Sequence, residues 1–384
     1  MKKIVIINRY YPPDPAISGH SACEMAQELS YREKNLNLMI RYIQAPYAGG
    51  RSSKAPVGYL GGMSSIYNGK NKILRFIGNF IEGYRLVRQS LPYADAIITL
   101  TDPPMVHFWA GLLCQKKRIP WIYWTLDLYP EAFSSAGIVN DNNLVYQGFQ
   151  RSIISHPPDF LISLGKQQES FLKKKYKKDI PSTVLPCGIV ESQHRSTYPD
   201  WWSPKKIVFA YAGNLGEAHD PEFLITLLQH LNPQKHTCLL SLYGIKASHV
   251  LTEVKKHPAV RVIDYISQDD LSYIDVHLVS LLPQWTHVCV PSKAVSAICS
   301  GRAIAFQGSR QSDTWQMFKS ASFHISSSQN QQAMSDDILN MLKTLSDFNN
   351  LNKKHTQAII YREKLLQMKK NAYETIVRFL CKSV

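Results

Sequence analysis

Two segments in the second half of this sequence carry the residue types that hold a phosphate. The first, YAGNLGEAHD (211–220), reads as a strand running into a loop, with Asp220 and Pro221 near the start of a helix. Gly213 and Gly216 free the backbone there, so amide N–H groups can approach an anion, and the positive end of the helix adds to the attraction. An ordinary glycine-containing turn between strand and helix has the same spacing. The second, VPSKAVSAICSGRAIAF (290–306), places Pro291 to start a helix that runs to Ser300, with Gly301 to end it and a strand behind. Ser292 and Lys293 then fall in the first helical turn, beside free amides. Helix dipoles favour anions at that end, so a lysine there asks for an explanation. One is a bound diphosphate that needs both amides and a cation; the plainer one is a solvated lysine beside a simple cap.

The first half carries carboxylates in the corresponding places. TLDLYPEAF (125–133) follows a strand and sets Asp127 and Glu131 beside Tyr129 and Pro130. A carboxylate at a strand's C-terminal end is placed to bind or deprotonate a hydroxyl; a turn cap and an exposed charge are the plainer alternatives. TLTDPP (99–104) repeats the arrangement with Asp102, where a turn role ahead of two prolines is the better reading. In YYPPDPAISGHS (10–21), Gly19 and His20 stand at a helix N-terminus that a phosphate or sugar could approach. His20 has acid–base chemistry to offer, and a surface histidine fits the pattern equally well.

The elements that must position these residues alternate. KIVIIN (3–8) reads as a buried strand, residues 18–32 as a helix, and NLNLMIRYI (35–43), DAIITL (95–100), PWIYWTL (120–126), FLISL (160–164) and STVLP (182–186) as further strands. KIVFAYAG (206–213) restarts the pattern, followed by TCLLSLYG (237–244), VRVIDYI (260–266), VHLVSLL (276–282) and RAIAFQ (302–307), with helical segments between. Strands separated by helices imply βαβ units and parallel sheets. The pattern predicts two doubly wound α/β domains, 1–190 and 206–354, joined by a polar linker at 191–205 and followed by terminal helices over 355–384, for which packing against the first domain is one placement. In such sheets ligands bind beyond the C-terminal ends of the strands.

Composition narrows the class. The chain has 384 residues and 45% hydrophobic content, enough for two cores, and no apolar run long enough to span a bilayer. The short IVII run after Met-Lys-Lys does not make a signal peptide, so the expected compartment is the cytoplasm. Seven cysteines show no metal-binding spacing and read as reduced structural thiols, with no metal expected. The net charge is +15, and residues 1–190 carry 23 Lys and Arg against 13 acids, while 191–384 carry 21 against 16. Two segments supply much of the first-half excess. In NKILRFIGNFIEGYRLVRQSL (71–91) an apolar face has Lys72, Arg75, Arg85 and Arg88 toward its margins, which suits a core helix or an interfacial one on anionic lipid. FLKKKYKK (171–178) holds five lysines in eight residues, a solvated face or part of the same membrane-facing patch. No basic-aromatic module for nucleic acid is present.

Taken in order, YYPPDPAISGH, TDPP, WTLDLYPE, YAGNLGEAHD, VRVIDYI, IDVHLVSL, VPSK and SGRAIAF resemble family-four glycosyltransferases of the GT-B fold, nearest to bacterial exopolysaccharide and lipopolysaccharide enzymes of the colanic-acid type. The resemblance runs through almost the whole chain. It implies two Rossmann-like domains facing each other across a cleft, and transfer of a sugar from a UDP- or GDP-linked donor to a hydroxyl, usually with retention and without metal or other cofactor. It implies a donor site in the second domain, with Gly213, Asn214 and Gly216 near the diphosphate, Ser292 and Lys293 beside it, and Tyr265–Ile266 at the base through backbone groups. By the same resemblance Gly19 and His20 border the donor phosphate, and Asp127, with Glu131 near, faces the acceptor, often a polyprenyl-linked glycan.

Five positions depart from that family's pattern. Two glutamates eight residues apart, the second five before the helix-ending glycine, are common there; this chain has Val288 and Ser296. An Arg and a Lys that clamp the diphosphate correspond to Asn214 and His219, and the residue before Asp127, often His, is Leu126. Lys293 and Arg302 could supply the charge. The losses keep open a degenerate partner subunit as an alternative, and the shared architecture keeps open a nucleotide-sugar epimerase.

Overall fold

The computed structural model describes residues 1–14, 16–44, 59–67, 69, 71–190, 197–254 and 256–383. The chain divides into two compact units, residues 1–187 with 368–384, and residues 188–367.

Among the described residues the first unit contains seven strands: β1 (Lys2–Ile7), β2 (Leu36–Gln44), β3 (Tyr59–Ser64), β4 (Ala96–Thr99), β5 (Trp121–Thr125), β6 (Phe160–Ser163) and β7 (Ser182–Val184). All pair in parallel in the order β3-β2-β1-β4-β5-β6-β7. Helices α1 (Ile17–Arg32), α2 (Lys72–Ser90), α3 (Val106–Lys117), α4 (Glu131–Ser135), α5 (Leu144–Ser155) and α6 (Lys166–Tyr176) connect them. Every residue of β4, β5 and β6 is buried, which is why these strands read as unbroken apolar runs rather than alternating ones. Asn71 and Asn143 cap α2 and α5, each accepting two backbone N–H groups.

The second unit repeats the plan with β8 (Ile207–Asn214), β9 (His236–Tyr243), β10 (Val260–Val262), β11 (Val276–Ser280), β12 (Ala303–Gln307) and β13 (Ser322–Ile325), ordered β10-β9-β8-β11-β12-β13 and again parallel. Its helices are α7 (Pro221–His230), α8 (Ala247–Val254), α9 (Ser292–Cys299), α10 (Asp313–Phe318), α11 (Gln331–Leu345) and α12 (Phe348–Ser383). One core, built around Phe209, Phe223, Leu227 and Met334, fills one side of this sheet, and a smaller cluster around Val208, Leu239 and Ile274 fills the other.

Three differences from the sequence pattern stand out. The strand expected at 260–266 stops at Val262, so Tyr265 and Ile266 lie in the loop that follows. Two edge strands had no clear signature: YLGGMS of β3 contains two glycines, and SFHI of β13 sits among serines. The terminal helices are one 36-residue helix, α12, whose residues to 367 cluster with the second unit and from 368 with the first. Of the expected linker, residues 191–196 lie outside the described residues. Behind them Tyr198 stacks on Trp202 (4.3 Å between centroids), and Trp201 and Trp202 pack on the smaller core cluster of the second unit.

Both sheets reverse their winding at one point, between β1 and β4 in the first and between β8 and β11 in the second. The loops leaving those strand pairs part there and leave room for a ligand.

Candidate functional site

At the first switch point the loops after β1 and β4 are tied together. The Arg9 amide donates to the Asp102 carbonyl (2.8 Å), and the Ser18 hydroxyl at the start of α1 donates to the Asp102 carboxylate (2.8 Å). Gly19 lets α1 come this close: a Cβ would lie 3.1 Å from the Tyr10 carbonyl carbon. His20 follows, exposed, and its ring takes no hydrogen bond among the described residues.

Asp127 leaves β5 next door, its amide held at 3.4 Å from the Thr101 hydroxyl. Burial raises its carboxyl to about 7, and the negative charge of Asp102 adds to the rise. Burial also raises Asp102, with Ser18 and Arg9 working against it and Asp14 with it. Arg9 is itself buried in an ion pair with Glu82 and a bond to Asn79. Asp102 thus does more than shape a turn. Sequence spacing could not reveal it, because its meaning depends on β4 lying beside β5.

Glu131, four residues on, has a different setting. It is buried at the start of α4, in an ion pair with Lys175 of α6, and it accepts from Gln150 Nε2 of α5 (3.0 Å). Burial would raise its pKa, but Lys175 and Gln150 outweigh that and hold it low. The lysine run therefore splits: Lys175 points inward to Glu131, Lys173 pairs with Asp179 (3.1 Å), and Lys174, Lys177 and Lys178 are exposed. Beside the pair, His107 stacks on Tyr123 (5.0 Å between centroids) and burial drives its pKa to about 3, so it stays neutral.

At the second switch point β8 runs on to Asn214, with Gly213 at φ +114, a conformation that L side chains rarely adopt. The turn that follows is fastened to β11. His219 Nδ1–H donates to the Ser280 carbonyl (2.7 Å), the Asp220 amide to the Ser280 hydroxyl (3.2 Å), and the Leu282 amide to the Ala218 carbonyl (2.9 Å). Asp220 caps α7 through the Glu222 amide and accepts from Gln307 at the end of β12 (2.9 Å).

Lys293, in the first turn of α9, reaches this turn. Its ammonium donates to the Asn214 carbonyl (3.1 Å) and sits 3.8 Å from the centre of the Tyr211 ring. Burial lowers its pKa to about 7, with only Cys289 acting the other way. Lys246 braces the far side of the turn, donating to the carbonyls of Glu217 (2.9 Å) and His219 (2.8 Å). Local spacing does not mark Lys246, since its role rests on the loop after β9 folding over the glycine turn. Burial and the two lysines hold the His219 pKa near 3, so His219 adds no positive charge.

Gly213, Asn214, Gly216 and Lys293 thus share one corner, with Ser292 next to Lys293 on α9. Tyr265 and Ile266 stand apart, after β10 and two strands from β8. Tyr265 is 77% exposed, while the Ile266 side chain is buried in the smaller core cluster and leaves only its backbone available. Ser296, where the resemblance leads one to expect a glutamate, bonds the carbonyls of Gly188 and Ser292 (both 3.2 Å), and Val288 is buried. Among the described residues no group of three or more His, Cys, Asp or Glu side chains could hold a metal ion, and no helix is long and apolar enough to cross a membrane.

No family model matches the chain. Over 231 residues, 55% of the chain, it is 22% identical to a probable glycosyltransferase, WbjE, of Pseudomonas aeruginosa. The match covers 56% of that relative, so the chain spans just over half the length of the curated protein it matches. Solved structures align over nearly the full length. Sucrose-phosphate synthase of Thermosynechococcus elongatus has a TM-score of 0.71 at 12% identity, covering 100% of this chain and 99% of that one. WaaG, a glycosyltransferase involved in lipopolysaccharide biosynthesis, has 0.67 at 12%, covering 99% and 100%. Anabaena HepE, solved in complex with UDP-glucose, has 0.66 at 13%, covering 98% and 100%. The fold is that of the GT-B glycosyltransferases, two Rossmann-like α/β units with a C-terminal helix.

Proposed function

We propose that this protein is a glycosyltransferase that moves a sugar from a UDP- or GDP-linked donor to a hydroxyl of a glycan or polyprenyl-linked acceptor, in surface polysaccharide synthesis. In this reading the donor diphosphate meets the corner of Gly213, Asn214, Gly216, Ser292 and Lys293, and the base lies along the backbone of Tyr265 and Ile266. Asp127 receives the acceptor hydroxyl, Gly19 and His20 border the phosphate, and Glu131 shapes the acceptor loop through Lys175. Transfer proceeds with retention and without a metal, in the cytoplasm at the inner face of the membrane.

The observation that carries this reading is Lys293. A lysine bonded only to a carbonyl and a ring face, at the switch point of this fold, has no carboxylate within ion-pair distance among the described residues. A leaving diphosphate develops charge that such a cation and nearby amides would stabilise. Thermal-shift measurements with UDP, GDP and ADP test it. One nucleotide should stabilise the protein, and Lys293→Ala should abolish that response. No response to any of the three would sink the donor site and favour the second reading, a degenerate partner subunit. That second reading draws on Val288 and Ser296, which put packing where the resemblance expects acids.

A further inference from the structure

The first unit holds a charged feature that neither switch point uses. On the face of the sheet covered by α2, an open pocket of about 480 Å³ is lined by Arg41 of β2, by Tyr84, Arg85 and Arg88 of α2, and by Tyr93. Arg88 packs over the Tyr84 ring (5.6 Å) and donates to its hydroxyl (2.9 Å), and Arg41 faces the Tyr93 ring (5.9 Å). The Arg41 Nε is buried without a hydrogen-bond partner. Tyr93 lies just before β4, while Arg41 is in register with Ile7 at the end of β1 and Arg85 Nη1 donates to the Ser64 carbonyl at the end of β3 (3.4 Å).

Nothing acidic balances these three guanidiniums. Residues 34–94 contain nine Lys and Arg and one acid, Glu82. Glu82 is buried in its ion pair with Arg9 and accepts from the Ser65 hydroxyl and the Ile66 amide (both 2.7 Å). Among the described residues none of the three arginines has a carboxylate within ion-pair distance. Like charges around one pocket repel, and a phosphoryl group, with several oxygens for bidentate guanidinium contacts, is the anion that best relieves it.

The outer face of α2 says which phosphate. Ile73, Ile77 and Ile81 follow one another at successive turns and are 71%, 47% and 41% exposed. The same stripe continues into Tyr84 and Arg88. At 1.5 Å per residue, the apolar part runs roughly 12 Å and the arginines begin within about another turn. A nucleotide or free phosphate has no use for an exposed isoleucine stripe beside its site. An anionic bilayer surface uses both, acyl boundary for one end of the helix and headgroups for the other.

We propose that Arg41, Arg85 and Arg88 form a binding site for the phosphate of an anionic membrane lipid, with the isoleucine stripe of α2 lying in the interface beside it. This rests on the membrane-surface part of the function proposed above and is independent of sugar transfer. The test is co-sedimentation of the full chain with phosphatidylcholine vesicles, with and without phosphatidylglycerol, together with calorimetric titration of inorganic pyrophosphate. The protein should bind only the anionic vesicles. Arg85→Gln/Arg88→Gln should weaken that binding roughly tenfold or more, and Ile77→Ser/Ile81→Ser should weaken it on its own. A Lys174→Gln/Lys177→Gln/Lys178→Gln variant should bind nearly as well as the parent. Far-ultraviolet circular dichroism and the midpoint of thermal unfolding establish that each variant is folded. Equal binding by the folded arginine variant, an equal loss in the lysine variant, or pyrophosphate binding without vesicle binding would each overturn the proposal.

Discussion

At the C-terminal edge of the first sheet the group held near neutrality is an acid, and at that of the second it is a lysine. Asp127 is raised to about 7 and Lys293 lowered to about 7, each chiefly by burial. Each sits where its ionised form lacks an opposite charge: Asp127 has Asp102 for a neighbour, and Lys293 has a carbonyl and a ring. Glu131 shows what the same fold does with a carboxylate that is kept charged, because Lys175 and Gln150 meet it. Perturbed groups that lack a protein partner are the ones to suspect of meeting a substrate, and satisfied pairs the ones to suspect of holding structure.

The largest effect should come from breaking the ion pair of Glu131 and Lys175. Lys175→Met leaves Glu131 buried and unpaired, and removing one member of a buried pair costs about 3–5 kcal/mol. Denaturant unfolding would measure it, and Glu131→Gln added to Lys175→Met should recover much of the loss. A single variant that unfolds within ~1 kcal/mol of the parent would mean that the pair is not buried in solution, and the contrast with Asp127 would go.

Asp127→Asn should do the reverse. A carboxyl with a folded pKa raised above its unfolded value destabilises progressively as pH rises from the unfolded value to the folded one, and the loss persists above it. For Asp127 that window runs from 3.8 to about 7. The asparagine variant should therefore be more stable than the parent by about 1–3 kcal/mol at pH 8, with the gap closing near pH 4. A gain of stability together with a loss of transfer would mark Asp127 as a group strained for function. A loss of stability at pH 8 would instead make it a structural acid like Glu131.

Much of this contrast was legible in the chain, in uneven measure. The α/β alternation and its restart at residue 206 follow from runs such as Ile4–Ile7 and Ile207–Ala210, because strands buried on both faces must be continuously apolar. The glycine turn was legible because Gly213 needs a conformation that few residues take. Asp102, Lys175 and Lys246 were not legible as site residues. Each takes its meaning from an element distant in sequence: β5 beside β4 for Asp102, α4 against α6 for Lys175, and the loop after β9 over the turn after β8 for Lys246. The setting of Glu131 is hidden for the same reason: in sequence it is a carboxylate in a loop after a strand, and the fold pairs it with Lys175, 44 residues away. Local periodicity reports which face is buried; it does not report which charge waits on the other side.

The smallest and sharpest effect concerns Lys293, whose folded pKa lies below its ordinary value of 10.5. The charged lysine is thus disfavoured in the ligand-free protein and gives way to the neutral form as pH rises through about 7. A diphosphate beside it would favour the charged form and raise the pKa again, so binding must take up a proton wherever the free lysine is neutral. Linkage then requires affinity to fall as pH rises above about 7, by at most tenfold per unit, until the pKa in the complex is passed. Calorimetric titration with the stabilising nucleotide between pH 7.5 and 9.5, a window above the nucleotide's own ionisation, should show roughly a tenfold loss of affinity. Lys293→Met should bind weakly with no slope, while Asp127→Asn should keep the slope, because its charge belongs to the other unit. A flat profile in the parent would mean that Lys293 gains no anionic partner on binding, and the distinction between an edge that handles protons and an edge that handles an anion would fail at the residue on which it most depends.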